Sequence, residues 1–311
     1  MLILDAHCDT ILYILEHKDG LYSNNCSVDI SRALKAGSWV QFFAIFVHPV
    51  HCRGREMLRA VQLIDKIVEE AAINTDTMSI CLNYENIQKA VQEKKLAAII
   101  SMEGGEPLQG DIAALRAFYK LGVRCIGLTW NYRNEIADGI IDRIAGGGLT
   151  PFGRNVVQEM NKLGMIVDVS HLSEKGFWDV IELSGAPIIA SHSNAAAICN
   201  HPRNLSDEQL LAIKKNGGVT GINLCPDFLN QTGNANVEDI VKHIEHIAAV
   251  TGEDCIGLGT DFDGIEVSPE GVDGVQDIYK IFDRLLSLNY QEEFIKKFAG
   301  ENFLRVIREV L

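Results

Sequence analysis

The stretch MIVDVSHLSEKGFWDVIELSGAPIIASHSN, Met165 to Asn194, holds an apolar run, a helical pattern and a second apolar run. Met165–Val169 and Pro187–Ala190 are apolar without alternation, as strands covered by helices on both faces are. Between them Ser173–Ser184 reads as a helix, opened by a capping box in which Ser173 has an acidic partner a little further on. Both runs end in polar residues, Asp168-Val169-Ser170-His171 and Ser191-His192-Ser193. The stretch is therefore a parallel βαβ unit whose strands stop at reactive side chains.

The unit repeats in both directions. Apolar runs at Leu2–Ala6, Trp39–Val47, Leu96–Ser101, Val123–Leu128, Val219–Asn223 and Cys255–Gly259 bring the total to eight. Helical spacing fills the gaps at Arg55–Ala72, Asp111–Leu121, Thr150–Leu163, Ser206–Asn216, Val237–Val250, Val275–Leu288 and Tyr290–Phe298. Eight alternating units over 311 residues predict an α/β fold of the (β/α)8 TIM barrel type, one domain spanning 1–311. A doubly wound open sheet is the second choice. The nearest approach to a dinucleotide fingerprint, Gly257-Leu258-Gly259-Thr260-Asp261-Phe262, has Phe in place of the third glycine and no helix after it.

Composition narrows the function. The net charge of −14, from 42 acidic and 28 basic residues, argues against a nucleic-acid partner. No run approaches the roughly 20 apolar residues of a membrane span. The opening MLILDAHCDT lacks the basic start of a signal peptide, and the eight cysteines form no C-x-x-C pair. Reduced thiols in a cytoplasmic protein are the expectation. The oligomeric state is open, a homodimer included.

In a barrel the reactive groups stand where strands end. Five of the eight runs end in His, Asp or Glu: Asp5-Ala6-His7-Cys8-Asp9, Ser101-Met102-Glu103, Asp168 to His171, Ser191 to Ser193, and Thr260-Asp261-Phe262-Asp263. His7 and Asp9, two apart on an extended chain, point the same way. Imidazoles and carboxylates at one mouth form a mixed nitrogen and oxygen donor set suited to zinc or a similar ion. The remaining histidines lack this placement. His48, His51 and His201 fall in loops, His17 in the first helix, and His243 and His246 on a charged helix facing solvent.

Together, His7-x-Asp9, Glu103-Gly104-Gly105, Val169-Ser170-His171, Ser191-His192-Ser193 and Gly259-Thr260-Asp261-Phe262-Asp263-Gly264 closely resemble the membrane (renal) dipeptidase family of zinc peptidases. Gly148-Leu149-Thr150-Pro151-Phe152-Gly153, Arg203-Asn204-Leu205 and Glu301-Asn302-Phe303-Leu304-Arg305 extend the resemblance to the chain's end. It implies two zinc ions, one held by His7, Asp9 and Asp261, the other by His171 and His192, with Glu103 bridging them. It also implies hydrolysis of a dipeptide to free amino acids by a hydroxide between the ions. Asp261 would carry the proton, and Arg203 would take the substrate's terminal carboxylate. Trp130 stands where the animal members have a histidine that contacts the substrate carbonyl, a change that bears on substrate preference. The alternative is another metal-dependent amide or ester hydrolase, a deaminase or lactonase. Those enzymes usually open with H-x-H and often bridge their metals with a modified lysine, whereas this chain has His7-x-Asp9 and Glu103.

Overall fold

A computed structural model describes residues 1–311. Nine strands, all paired in parallel, run β1 (Leu2–Cys8), β2 (Ser38–Phe46), β3 (Met78–Ile80), β4 (Leu96–Glu103), β5 (Val123–Gly127), β6 (Ile166–Asp168), β7 (Ile189–Ala190), β8 (Val219–Ile222) and β9 (Ile256–Leu258). Eight of them form a closed barrel. Its ring is shut on one side by β2 and β4, which pair along seven residues from Val40↔Ala97 to Phe46↔Glu103. On the other side β1 meets β9 at Asp5↔Leu258.

All eight apolar runs are strands, and β1 and β4 extend past them to Cys8 and Glu103. The ninth strand was not expected. β3 is three residues long with a serine at its centre, too short and too polar to register as an apolar run. It lies outside the ring, paired with the start of β4 at Leu96–Ala98, while β5 pairs from Ile100 onward.

Six expected helices lie at Glu56–Ile73, Ile112–Lys120, Pro151–Leu163, Glu174–Leu183, Asp207–Asn216 and Val237–Thr251. The last two are interrupted. A 3-10 turn at Val275–Asp277 precedes Tyr279–Ser287, and Glu292–Lys296 widens into a π turn at Lys297–Glu301 before the terminal helix Asn302–Val310. The capping box at Ser173 is not formed either. Its hydroxyl accepts from the Gly176 amide, but glycine has no side chain to return the bond. Complete boxes stand instead at Ser206 with Gln209 and at Asn236 with Asp239.

The core has two shells. Inside the ring, Leu4, Val40, Phe42, Ala97, Ile99, Ile166 and Val219 meet Phe303, Val306 and Ile307 of the terminal helix, which fills the end of the barrel opposite the mouth. Outside it, Trp39, Phe43, Ile100, Met102 and Val167 pack against the helical layer. No helix is long and apolar enough to cross a membrane.

The ring is tightest where β7, β8 and β9 turn toward the mouth. A Cβ on Gly259 would overlap the Ser191 carbonyl oxygen and stand 3.2 Å from the Gly221 Cα. Backbone alone fits there. Gly259→Ala should therefore lose about 1–3 kcal/mol, the usual cost of overpacking, measured as a lower denaturant midpoint. An unchanged midpoint would mean that the strands part without cost.

Candidate metal centre

Five strand ends deliver six side chains to one point. His7 and Asp9 end β1, Glu103 ends β4, and His171, His192 and Asp261 follow β6, β7 and β9. All are buried except Asp261, whose side chain keeps 13% of its surface. The Glu103 carboxylate lies between two histidine groups. Its Oε1 is 2.9 Å from His171 Nε2 and 3.7 Å from His192 Nε2, and its Oε2 is 3.5 Å from His7 Nε2. His7 Nε2 is also 3.3 Å from Asp9 Oδ2 and 3.8 Å from Asp261 Oδ1. Three overlapping trios result, each with donor atoms within 4.8 Å: His7, Asp9 and Glu103; Glu103, His171 and His192; His7, His192 and Asp261.

The hydrogen bonds behind the imidazoles decide which nitrogen faces inward. Asp168 Oδ2 accepts from Ser191 Oγ at 2.5 Å, which leaves that oxygen to accept from His192 Nδ1 at 2.7 Å. Asn131 Oδ1 accepts from His171 Nδ1 at 2.8 Å. With both Nδ1 protons so engaged, the two Nε2 lone pairs face each other across 2.8 Å. His7 Nε2 and Asp9 Oδ1 have no hydrogen-bond partner although buried. Lone pairs crowded together without donors call for a cation.

The charges agree. Burial, then Glu103, pushes the Asp9 carboxyl up to about 6, and burial, with Asp9 and Glu103 adding to it, pushes Asp261 up to about 7. Burial would also raise Glu103, but His7 and His171 hold it well below the usual carboxylate range. Burial alone would lower His7, yet Glu103 and Asp9 raise it well above the ordinary value. Burial, then Arg203, presses His171 down to about 4, and burial, then His7 and His171, presses His192 lower than its ordinary value. Two neutral imidazoles beside three crowded carboxylates match a divalent cation with mixed nitrogen and oxygen ligands.

The backbone is bent to present these groups. His171 at φ 66° and Asp261 at φ 62° occupy the left-handed region, a costly conformation for residues with a Cβ. Gly264 must lack a side chain, because a Cβ there would overlap Asp9 Oδ2 and lie 2.6 Å from Asp261 Oδ1. Asn223 donates to Asp261 Oδ2 at 2.9 Å, which leaves Oδ1 turned toward His7. Asp5, at the same strand end as His7, is no part of the cluster. It accepts from the Thr260 amide and hydroxyl at 2.8 and 2.7 Å and from Gln41 at 3.0 Å, tying β1 to β9 and β2. Asp263 likewise serves the turn, accepting from Thr10 Oγ1 at 2.5 Å and the Ser27 amide at 2.7 Å.

The cluster opens into a cleft of about 560 Å³ whose wall includes Phe46, Trp130, Arg203 and Asp261. Trp130 stands 5.2 Å from the Phe46 ring and 6.3 Å from that of His171. Arg203 is buried, donates to the His192 carbonyl at 3.3 Å, and leaves its Nε without a partner. Arg203 pairs with no carboxylate, and Asp207 on the following helix binds His246 Nε2 at 2.7 Å instead. That pair leaves His246 half-buried rather than facing solvent as expected. His243 is likewise not solvated but fully buried, between the Ala195 amide at 3.2 Å and the Leu229 carbonyl at 2.9 Å. Burial presses its pKa down to about 4. Its spacing from Ile240, Ile244 and Ile247, all buried, was the signal that it faces the core.

The chain matches the membrane dipeptidase family, peptidase family M19, over residues 1–311. It is 32% identical over 325 residues to an uncharacterized dipeptidase of Schizosaccharomyces pombe, covering 98% of this chain and 80% of that protein. It is 32% identical over 296 residues to the dipeptidase tcpJ of Claviceps purpurea, covering 91% of this chain and 69% of that one. A metallo peptidase from Rhodobacter sphaeroides, solved with a phosphinate mimic of the dipeptide L-Ala-D-Ala, matches its fold with a TM-score of 0.94. The two are 27% identical, and the match covers 100% of this chain and 99% of the other. A full-length match to the family and to its dipeptidases therefore makes this chain a member of the membrane dipeptidase family of metallopeptidases.

Proposed function

We propose that the chain hydrolyses dipeptides to free amino acids with two zinc ions held at the barrel mouth. The observation that carries this reading is the Glu103 carboxylate, with one oxygen toward His171 and His192 and the other toward His7. His7, Asp9 and Asp261 would hold one ion, His171 and His192 the other, and Glu103 would bridge. When bound, such a pair of ions supplies Lewis acidity that makes water nucleophilic near neutral pH and polarises the scissile carbonyl. No lysine lines the cleft, which disfavours the carboxylated-lysine type of amidohydrolase as the alternative.

The chain's own residues do the rest. Asp261 accepts the attacking water's proton and returns it to the leaving amine, with Asn223 fixing its second oxygen. Arg203 grips the carboxylate one residue beyond the scissile bond, through charge-assisted bonds that set orientation as well as affinity. The Arg203 guanidinium sits 5.7 Å from the Phe228 ring, which limits its freedom before substrate arrives. Trp130 and Phe46 form the apolar wall against which the substrate packs. The dipeptide mimic bound by the Rhodobacter relative supports this substrate class. Eight free thiols fit a cytoplasmic location.

Release of amino acids from a dipeptide panel, with and without a chelator, tests the reading as a whole. Elemental analysis of zinc-loaded protein should give two ions per chain, and one or fewer after loading would count against the binuclear site. Asp261→Asn should lower kcat far more than it weakens substrate binding, as expected for a loss felt mainly in the transition state. Near-normal turnover at full metal content would remove Asp261 from the proton path. Arg203→Met should lower kcat/KM on dipeptides by about 1.5–3 kcal/mol, one to two powers of ten, and barely alter a dipeptide amide. Equal losses on acid and amide would give Arg203 a structural role.

A further inference from the structure

The connection from β5 to the helix Pro151–Leu163 contains a strap, residues 139–149, with fixed feet and a free tip. At the first foot the Ile140 amide donates to the His171 carbonyl at 2.8 Å and the Ile141 amide to that of Asn131 at 2.9 Å. At the second, the Gly147 amide donates to Asp138 Oδ2 at 2.8 Å and the Leu149 amide to Asp179 Oδ2 at 3.0 Å. The Asp138 amide closes the neck on the Gly148 carbonyl at 3.3 Å. Compact surface loops with closed necks are Ω-loops, which are frequently functional.

Between the feet, residues 142–146 make one hydrogen bond outside the strap, from the Arg133 amide to Asp142 Oδ2 at 2.6 Å. Arg143–Ala145 form a single 3-10 turn with no buried residue. Gly146 leaves that turn at φ 67°, left-handed backbone that glycine adopts freely. A segment with few outside bonds and no buried side chain is cheap to move. Its tip is nonetheless apolar. Ile144 is 90% exposed, more than any other large hydrophobic residue of the chain, and Ile141 is 50% exposed.

The tip stands beside a gap. Through Ile140 and Arg143 the strap forms one bank of a second cavity, of about 480 Å³, which shares His171 and Arg203 with the metal cleft. The loop after β7 forms the other bank, where Ala196 is half-buried and Pro202 exposed. Apolar side chains thus wait unpartnered on both banks.

We propose that the strap is a lid: when a dipeptide binds, its tip crosses this cavity, seats Ile144 against Ala196 and Pro202, and shuts water out of the metal centre. The proposal rests on the dipeptidase reading above. Ile144 loses no apolar contact by leaving its solvated position and gains some by crossing. In the free enzyme that gain is set against the Asp142 bond to the Arg133 amide and the cost of ordering the tip. A bound dipeptide adds the contact surface that favours closure, and a closed lid keeps the reaction from bulk water.

Arg143 makes the tip a trypsin site, so cleavage reads the lid's position. On zinc-loaded enzyme, cleavage after Arg143, followed by mass spectrometry, should slow at least tenfold when a phosphinate dipeptide mimic saturates the protein. Ile144→Ser should leave the thermal midpoint of the free enzyme unchanged, reduce the protection to less than twofold, and lower kcat on alanyl-alanine severalfold. Equal cleavage with and without bound mimic overturns the lid and leaves the dipeptidase reading standing. Resistance to trypsin in both states does the same, since the strap is then rigid. Full protection in Ile144→Ser also overturns it, because the mimic alone then shields Arg143. A mimic that calorimetry shows not to bind overturns both readings.

Discussion

Three carboxylates and three imidazoles cannot share a dry pocket without a cation, and the barrel mouth is organised around that requirement. Asp9, Glu103 and Asp261 repel one another, and desolvation raises the cost of each charge. The histidines do not relieve this by protonation alone, because His171 and His192 are held neutral with their lone pairs turned inward. Everything next to the cluster serves its geometry. The Asp168–Ser191 pair and Asn131 orient two rings, Asn223 orients Asp261, and left-handed backbone at His171 and Asp261 aims both side chains. Such strain persists only where packing around it over-determines the conformation. The close approach at Gly221 and Gly259 supplies that packing.

The acidic character of the chain takes on a local meaning at this mouth. Carboxylates line the metal cleft and concentrate cations there. Arg203 is the exception, a buried positive charge that borders both cavities.

Most of the architecture and all six cluster residues were legible in the sequence, for one reason. Each of the six stands within three residues of the end of an apolar run, and a strand covered on both faces is the plainest signal such a chain offers. What could not be read depends on distance between residues far apart in the chain. Asn131 lies 40 positions from the His171 ring that it orients, and Asn223 lies 38 from Asp261. Asp168 and Ser191 were visible as polar strand ends, but their hydrogen bond, with His192 at its far side, appears only once β6 and β7 are side by side. β3 escaped because three residues carry no period. His243 was misjudged for another reason: charged neighbours on its helix obscured its place in the isoleucine stripe that faces the core.

The seam between β1 and β9 joins Asp5 to Leu258, residues 253 positions apart, and its effect reaches back into synthesis. His7 and Asp9 leave the ribosome together, while Asp261, which faces the same imidazole, emerges 254 positions after His7. At about 5–20 residues per second, that gap is roughly 10–50 seconds. The helix that fills the far end of the barrel comes later still, at Asn302–Val310. A growing chain therefore carries only fragments of its ligand set, and a chain cut short before Asp261 never completes it. Capture of a metal by the whole ligand set therefore waits until Asp261 has emerged and β9 has closed on β1.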